Sequence, residues 1–319
     1  MSWKKQLESS NRPRWAELAR QMRSELSDAV LELNQPTARL ATLKAGGAVA
    51  LGVTVHSVAQ LQALLEFVRT YDLPWMVFGG MSNTLVRDKG YDGIGVFLEG
   101  GEFAQFDLVE GESTDILRVG AAQPTARILK AGRERGWAAA APLSGIPGYV
   151  GGAIAMNAGS RDIWISHFLR SVRMVTLEGK DVTRPVESVA PGYRSTQIRH
   201  AVVVSGEFAF EREDIERTDQ LYRQQLEYRN RTQPVGTKNC GSVFRNPEGD
   251  SAGRLIEAVN LKGVRVHGAR ISSVHANFIE NVGGASAADI ESLVQLAQKK
   301  VKDEAGIELQ RELRIVGTR

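Results

Sequence analysis

A chain of 319 residues, 42% hydrophobic and 24% charged, is long and apolar enough to fold as two or three domains around buried cores. Its net charge of +3 suits an anionic small molecule but is too slight for a nucleic-acid binder, and no basic stripe interleaves with aromatics. No run approaches the ~18 apolar residues of a membrane span, which excludes membrane insertion. The opening residues Met1–Gln6 lack the apolar centre of a signal peptide. A single cysteine, Cys240, excludes an internal disulfide framework and fits a reducing cytoplasm. Cys240 and five scattered histidines show no ligand spacing, so no metal site is expected.

Residues 12–34 are predicted to form one amphipathic helix added to the body, because Trp15, Leu18, Met22, Leu26, Ala29 and Val30 recur at three- and four-residue spacing and Pro36 lies just beyond. From Val53 to Gly100 the order reads strand, helix, strand, loop, strand. The helical period runs through Leu61, Leu64, Leu65 and Val68, while Trp75–Phe78 and Gly95–Leu98 are apolar runs of strand length. Phe103–Gly120 reads as a β-ribbon and Pro124–Gly136 as a helix. Strands are expected at Val172–Leu177 and Ala201–Phe210, joined through a polar turn that carries Tyr193-Arg194. Residues 212–230 read as a helix whose charges form a solvated face. Leu255–Val259 looks helical, Asn277–Asn281 reads as a strand, Ala287–Ala305 as an amphipathic helix, and Leu309–Val316 as an alternating strand.

The least ordinary stretch is Ser144–Gly159, with glycines at 145, 148, 151, 152 and 159 and no charged side chain. Glycine at this density suits backbone that takes positive φ or approaches a ligand closely. Bare N–H groups in such a loop can cradle a phosphate; a glycine-rich turn between buried elements is the plainer alternative. A second loop, Phe78-Gly79-Gly80-Met81-Ser82-Asn83, follows an apolar run, and two such loops favour a large phosphate-bearing cofactor. Neither loop has the Gly-x-Gly-x-x-Gly spacing of a Rossmann unit, so a different nucleotide-binding fold is indicated.

Five motifs then occur in order: Phe78-Gly-Gly-Met-Ser-Asn83; Ser144-Gly-Ile-Pro-Gly-Tyr-Val-Gly-Gly152 with Met156-Asn-Ala-Gly159; Gly241-Ser-Val-Phe-Arg-Asn-Pro247; His275-Ala-Asn-Phe278; and Glu312-Leu-Arg-Ile-Val-Gly317. Over roughly residues 37–317 this set resembles the UDP-N-acetylenolpyruvoylglucosamine reductase (MurB) family, and the lack of room for a long substrate-clamping insertion makes it similar to the shorter subtype. The resemblance implies an α+β fold. A helical extension at 1–36 would precede two vanillyl-alcohol-oxidase-type (PCMH-like) FAD-binding subdomains at 37–100 and 101–210. A UDP-sugar-binding α+β domain at 211–319 would return its last strand to the active site. It also implies FAD and NADPH as cofactors, a cytoplasmic location, no obligate protein partner, and a UDP-sugar substrate. The reaction would be reduction of UDP-N-acetylglucosamine enolpyruvate to UDP-N-acetylmuramate for peptidoglycan.

By the same resemblance, Gly79, Gly80, Met81, Ser82 and Asn83 of the first loop line the flavin. So do Ser144, Gly145, Ile146, Pro147, Gly148, Gly151, Gly152, Ala153, Asn157 and Gly159 of the second. Hydride added to the β-carbon of the enol ether builds negative charge on the α-carbon and its carboxylate. The chemistry therefore needs a cation or acid at the carboxylate and a proton donor at the α-carbon. In the family the serine of the Gly-Ser-x-Phe motif is that donor, here Ser242. The carboxyl of the Glu-x-Arg strand, here Glu312, assists at the substrate carboxylate, and the arginine of the Tyr-Arg pair, here Arg194 beside Tyr193, supplies the cation. Arg229, Arg231, Lys238 and Arg245 are basic residues suited to the diphosphate, Asn246 matches an asparagine that helps hold the nucleotide, and His275 joins the substrate site.

Taken singly, Ser242 reads as a turn serine, Glu312 as a solvent-facing strand residue, Tyr193-Arg194 as a surface turn and His275 as a hydrogen-bonded structural histidine. The order of motifs is what lifts them. The chain departs from the family at Met81, which replaces the third glycine of Gly-Gly-Gly-Ser-Asn, so its side chain must point away from the flavin or the loop must shift. It departs again at Ser160-Arg161-Asp162, at Thr232, and at Thr42-Leu-Lys44. Two alternatives to the reductase are a diverged FAD- or nucleotide-binding protein of the same fold and a related flavin oxidoreductase. Retention of Ser242, Glu312 and Arg194 favours the reductase, since a mere binder needs none of them.

Overall fold

The computed structural model describes residues 12–160 and 162–318; residues 1–11 of the expected extension, and Arg161 of the Ser160–Asp162 departure, lie outside them. The helices are α1 (Arg12–Glu25), α2 (Val58–Thr70), α3 (Thr125–Arg135), α4 (Val150–Ala155), α5 (Ile215–Thr232), α6 (Ala252–Ala258) and α7 (Ala287–Ala305). The first eight strands are β1 (Val30–Pro36), β2 (Ala48–Val55), β3 (Trp75–Val77), β4 (Thr84–Val86), β5 (Tyr91–Leu98), β6 (Phe106–Val109), β7 (Thr114–Gly120) and β8 (Gly159–Ser160). The rest are β9 (Ile163–Trp164), β10 (Leu169–Thr176), β11 (Asp181–Pro185), β12 (Ala201–Glu211), β13 (Arg265–Val266), β14 (Ala269–Ile271), β15 (Ile279–Asn281) and β16 (Arg314–Val316). Two compact units result, each gathered from distant segments. The first holds the chain up to Asn34, Ala50–Gly79 and Gly93–Leu226; the second holds Gln35–Val49, Gly80–Asp92 and the chain from Glu227 onward.

In the first unit, α1 buries Trp15, Leu18, Ala19 and Met22, joined by Leu26 just past its end, in one cluster with Leu61, Leu64 and Leu65 of α2. The helical stripe that placed it on the body is thus real, but it is shorter than expected. Asp28 takes a left-handed φ of 64°, which a helix cannot continue through. Val30–Asn34, expected as the end of the helix, instead falls in Val30–Pro36, the edge strand of a sheet ordered β1-β2-β5-β3. The helix α2 starts where Ser57 accepts the Gln60 N–H, and β3 runs parallel to β5 with Trp75 opposite Ile94. A second sheet, β11-β10-β12-β7-β6, is antiparallel throughout. Its apolar face, including Leu117, Val172 and Phe208, packs with Val150 and Ile154 of α4. That packing fixes the glycine-rich segment against a rigid layer.

In the second unit, α7 has the bounds its sequence suggested. A capping box between Ser286 and Asp289 opens it and Gly306 at φ 69° closes it. Its buried stripe of Ile290, Leu293, Val294, Ala297 and Val301 shares one core with Ala269, Ile271 and Ile279 of the sheet β13-β14-β15. The alternating run Leu309–Val316 is a strand only over its last three residues, where β16 pairs in parallel with β4, Arg314 opposite Thr84. Its earlier part lies along residues 243–245, with a single antiparallel bridge between Phe244 and Arg311. Arg87, just past β4, forks onto Glu291 of α7 at 2.9 and 3.0 Å and donates to the Gly317 carbonyl at 2.8 Å, tying down the end of the chain.

Candidate active site

The glycines of Ser144–Gly159 divide into two kinds. A Cβ on Gly151 would stand 2.8 Å from that of Ala121, and one on Gly159 would collide with Trp164, so these two are glycine for packing. Gly145 and Gly148 take φ of 78° and 113°, and nothing lies within 4 Å of a Cβ on Gly152. The N–H groups of Gly145, Gly148 and Tyr149 find no acceptor among the described residues. Thr125 Oγ1 donates to the carbonyls of Ile146 (2.9 Å) and Gly148 (3.1 Å), which pins the loop around Pro147 with those N–H groups bare. Ser144 is 3% exposed and its Oγ has no hydrogen-bond partner among the described residues. Ala153 is buried in the core of the unit.

The first loop follows β3. Phe78 stacks on Phe97 at 5.7 Å, and Gly79 is exposed, a Cβ on it coming 3.9 Å from the Tyr149 ring. The N–H groups of Gly79, Gly80 and Met81 likewise have no acceptor among the described residues. Met81 keeps a left-handed φ of 45°, the conformation a glycine would supply, with its side chain buried to 4% exposure. Ser82 is half-buried. Asn83 donates from Nδ2 to the Glu312 carbonyl at 3.1 Å, while its Oδ1 is buried without a partner. Within the first unit, the bare N–H groups of Gly79, Gly145, Gly148 and Tyr149 together with the orphaned Ser144 oxygen fit a ligand that carries phosphate oxygens, as FAD does.

Ser242 sits in the second unit on a tightly braced segment. Asn239 Oδ1 accepts the Gly241 N–H at 2.9 Å, and Gly241 takes φ 74°. On one side Asn277 clamps Phe244, accepting its N–H at 2.9 Å and donating to its carbonyl at 2.8 Å. On the other, the Glu312 N–H donates to the Val243 carbonyl at 2.8 Å. The backbone thus brings Ser242, Glu312 and Asn83 into one neighbourhood. The half-buried Ser242 hydroxyl has no partner among the described residues. Beside it, burial pushes the Cys240 thiol up to about 12, so it stays protonated.

His275 is half-buried, its Nδ1 accepts the Asn277 N–H at 3.2 Å, and its ring meets Phe278 edge-on at 5.0 Å. Burial, aided by the Lys262 charge, holds its pKa below the ordinary imidazole value. The neutral ring therefore acts through Asn277 as a brace for the serine segment. Tyr193 and Arg194 form a tight turn in the first unit, with Gly192 and Ser195 exchanging hydrogen bonds of 2.9 and 3.2 Å. Tyr193 is exposed and its ring lies 5.4 Å from the Arg194 guanidinium carbon. Asn157 is wholly buried. Arg229 is half-buried and Arg231 exposed at the end of α5, Lys238 is exposed, and Asn246 Oδ1 accepts the Ala252 N–H at 3.1 Å where α6 begins. Sequence reasoning gave no role to Asn239 or Asn277. Asn277 lies inside the His275–Phe278 motif, but nothing in the residue order distinguishes its amide, or that of Asn239, from a solvated one.

The model of the UDP-N-acetylenolpyruvoylglucosamine reductase C-terminal domain matches residues 233–316, and that of an FAD binding domain matches residues 49–183. A protein of Geotalea uraniireducens named UDP-N-acetylenolpyruvoylglucosamine reductase is 36% identical over 90% of this chain and 94% of its own length. The chain belongs to the UDP-N-acetylenolpyruvoylglucosamine reductase family. The Myxococcus xanthus protein of the same name is also 36% identical, over 92% of this chain and 94% of its own length. The crystal structure of the Thermus caldophilus reductase of this family superposes with a TM-score of 0.75 at 31% identity, covering 91% of this chain and 99% of that one. The α+β fold expected for the family, with its FAD-binding domain, is therefore the fold observed. No helix among the described residues is long and apolar enough to cross a membrane.

Proposed function

We propose that this chain uses NADPH and FAD to reduce UDP-N-acetylglucosamine enolpyruvate to UDP-N-acetylmuramate, and that Ser242, Glu312 and Arg194 carry the second half of that reaction. FAD, when bound, supplies the relay of hydride from NADPH to the β-carbon of the enol ether. Everything else falls to side chains of the protein. The observation that carries the reading is Ser242: its hydroxyl is uncommitted, yet its backbone is braced from both sides, and one brace is Glu312 itself.

A hydroxyl is a weak acid, so Ser242 protonates the α-carbon only because the acceptor is an enolate-like carbanion. Charge on that enolate is stabilised at the substrate carboxylate, where Arg194 supplies a permanent cation and Glu312 assists. When FAD is bound, the bare N–H groups of Gly145, Gly148 and Tyr149 would hold its pyrophosphate, with Gly79, Gly80 and Ser144 adding donors. Arg229, Arg231 and Lys238 neutralise the UDP diphosphate, and Asn246 and Tyr193 contact the substrate. The setting is cytoplasmic, and the partners are NADPH and the UDP-sugar.

Ser242→Ala tests the assignment. In anaerobic half-reactions, bleaching of the flavin by NADPH stays within about threefold of the parent. Recolouring by the enolpyruvyl sugar slows by roughly 10²–10⁴, the usual range for losing a positioned proton donor. Equal loss in both half-reactions would make Ser242 structural; no loss in the second would remove it from the chemistry.

A further inference from the structure

Arg194 holds a left-handed backbone, φ 53°, at the third position of the Gly192–Ser195 turn. That conformation is strained for any residue with a Cβ and persists only where the surroundings enforce it. The enforcing group is on the glycine-rich segment, two residues past the end of α4. Asn157 is 0% exposed and itself left-handed, φ 45°. Its Nδ2 donates to the Gly192 carbonyl at 2.9 Å, and its Oδ1 accepts the Ser166 N–H at 3.3 Å. Thr196 adds a second tie, donating from Oγ1 to the Ala155 carbonyl at 2.9 Å. The Gly192 oxygen thus receives two donors, the Ser195 N–H and the Asn157 amide.

We propose that Asn157 is a positioning residue that locks the Tyr193-Arg194 turn onto the glycine-rich segment and so fixes where the Arg194 guanidinium stands. This rests on the reading of Arg194 as the cation at the substrate carboxylate. The same short stretch then sets both the loop with the bare N–H groups and the arginine turn, so the two cannot drift apart. Without the amide, the Gly192 carbonyl keeps only its bond within the turn, and of the two ties to the glycine-rich segment only that of Thr196 remains, so Arg194 is freer to relax toward an extended backbone. An arginine side chain is long, so a turn of its Cα carries the guanidinium several ångströms.

The test uses Asn157→Gly, which tolerates positive φ but lacks the amide, and Asn157→Asp, which keeps shape and acceptor but loses the donor. The first readout needs neither flavin nor activity. Limited trypsin digestion of the FAD-free protein, followed by mass spectrometry, measures cleavage at the Arg194–Ser195 bond against all other sites. Both variants are expected to be cut there at least ~10-fold faster with other sites unchanged. The second readout is a double-mutant cycle on recolouring by the enolpyruvyl sugar. Asn157→Gly slows it roughly 10–100-fold in the parent but less than twofold in an Arg194→Ala background, because the positioned group is already gone. Unchanged cleavage at Arg194, faster cleavage everywhere, or losses that multiply in the double variant would each overturn the proposal. A parent that never recolours would instead refute the reductase reading, and the trypsin result would still decide the tether.

Discussion

Replacing Met81 by glycine sets opposing effects against each other at the one position where this chain abandons the family's third loop glycine. Met81 sits at φ 45° and is 4% exposed. Removing a buried methionine side chain costs about 2–5 kcal/mol. The added freedom of glycine in the unfolded chain costs about 0.5–1 kcal/mol more. Relief of the left-handed strain returns about 1–2 kcal/mol. Packing wins, and the net is a loss of about 0.5–5 kcal/mol, centred on about 3 kcal/mol. Urea titration of FAD-free protein measures it as a lower midpoint with an unchanged slope. FAD affinity stays within a few-fold, because the backbone shape of the loop is that of a glycine already. A variant as stable as the parent or more so would refute the reasoning, since it would mean that strain rather than burial dominates there.

Two further outcomes follow from the second unit. Glu291→Ala leaves the Arg87 guanidinium largely buried with only the Gly317 carbonyl to accept from it, and should cost about 3–5 kcal/mol. Arg87→Met combined with Glu291→Leu should recover most of that in the same urea titration, and a single-variant loss under 1 kcal/mol would contradict the account. Because the folded His275 pKa lies below the ordinary imidazole value near 6.5, the unfolded state binds the extra proton first. Its contribution is therefore complete above about pH 6.5 and is lost as pH falls below that value. His275→Gln should flatten the stability-versus-pH curve between pH 7 and 5; an unchanged slope would mean that another group governs it.

Much of the molecule was legible from residue order, and what was missed has a physical pattern. Elements with local caps were read well: α7 between Ser286 and Gly306, and α3 closed by Gly136 at φ 82°. The end of α1 was not, because Ala29 and Val30 continue the helical period while the break comes from the backbone of Asp28, which periodicity does not register. The parallel pairing of β16 with β4 joins residues 230 positions apart, so the short strand β4 had no visible partner. The glycine loops were found, but their glycines looked alike; only the structure separates Gly151 and Gly159, which pack, from Gly145 and Gly148, which bend the chain. The family resemblance singled out Ser242 and Glu312, but not that the Glu312 N–H would bond the Val243 carbonyl beside the serine. The asparagines that brace them were not legible, because a hydrogen-bonded amide and a solvated one read the same in sequence.

The most direct measurement is the visible absorption spectrum of the purified protein, taken anaerobically with NADPH and then with UDP-N-acetylglucosamine enolpyruvate. The account predicts a yellow protein that bleaches with NADPH and regains its colour with the enolpyruvyl sugar. A protein that bleaches and stays bleached, or one that cannot be loaded with FAD, would contradict it.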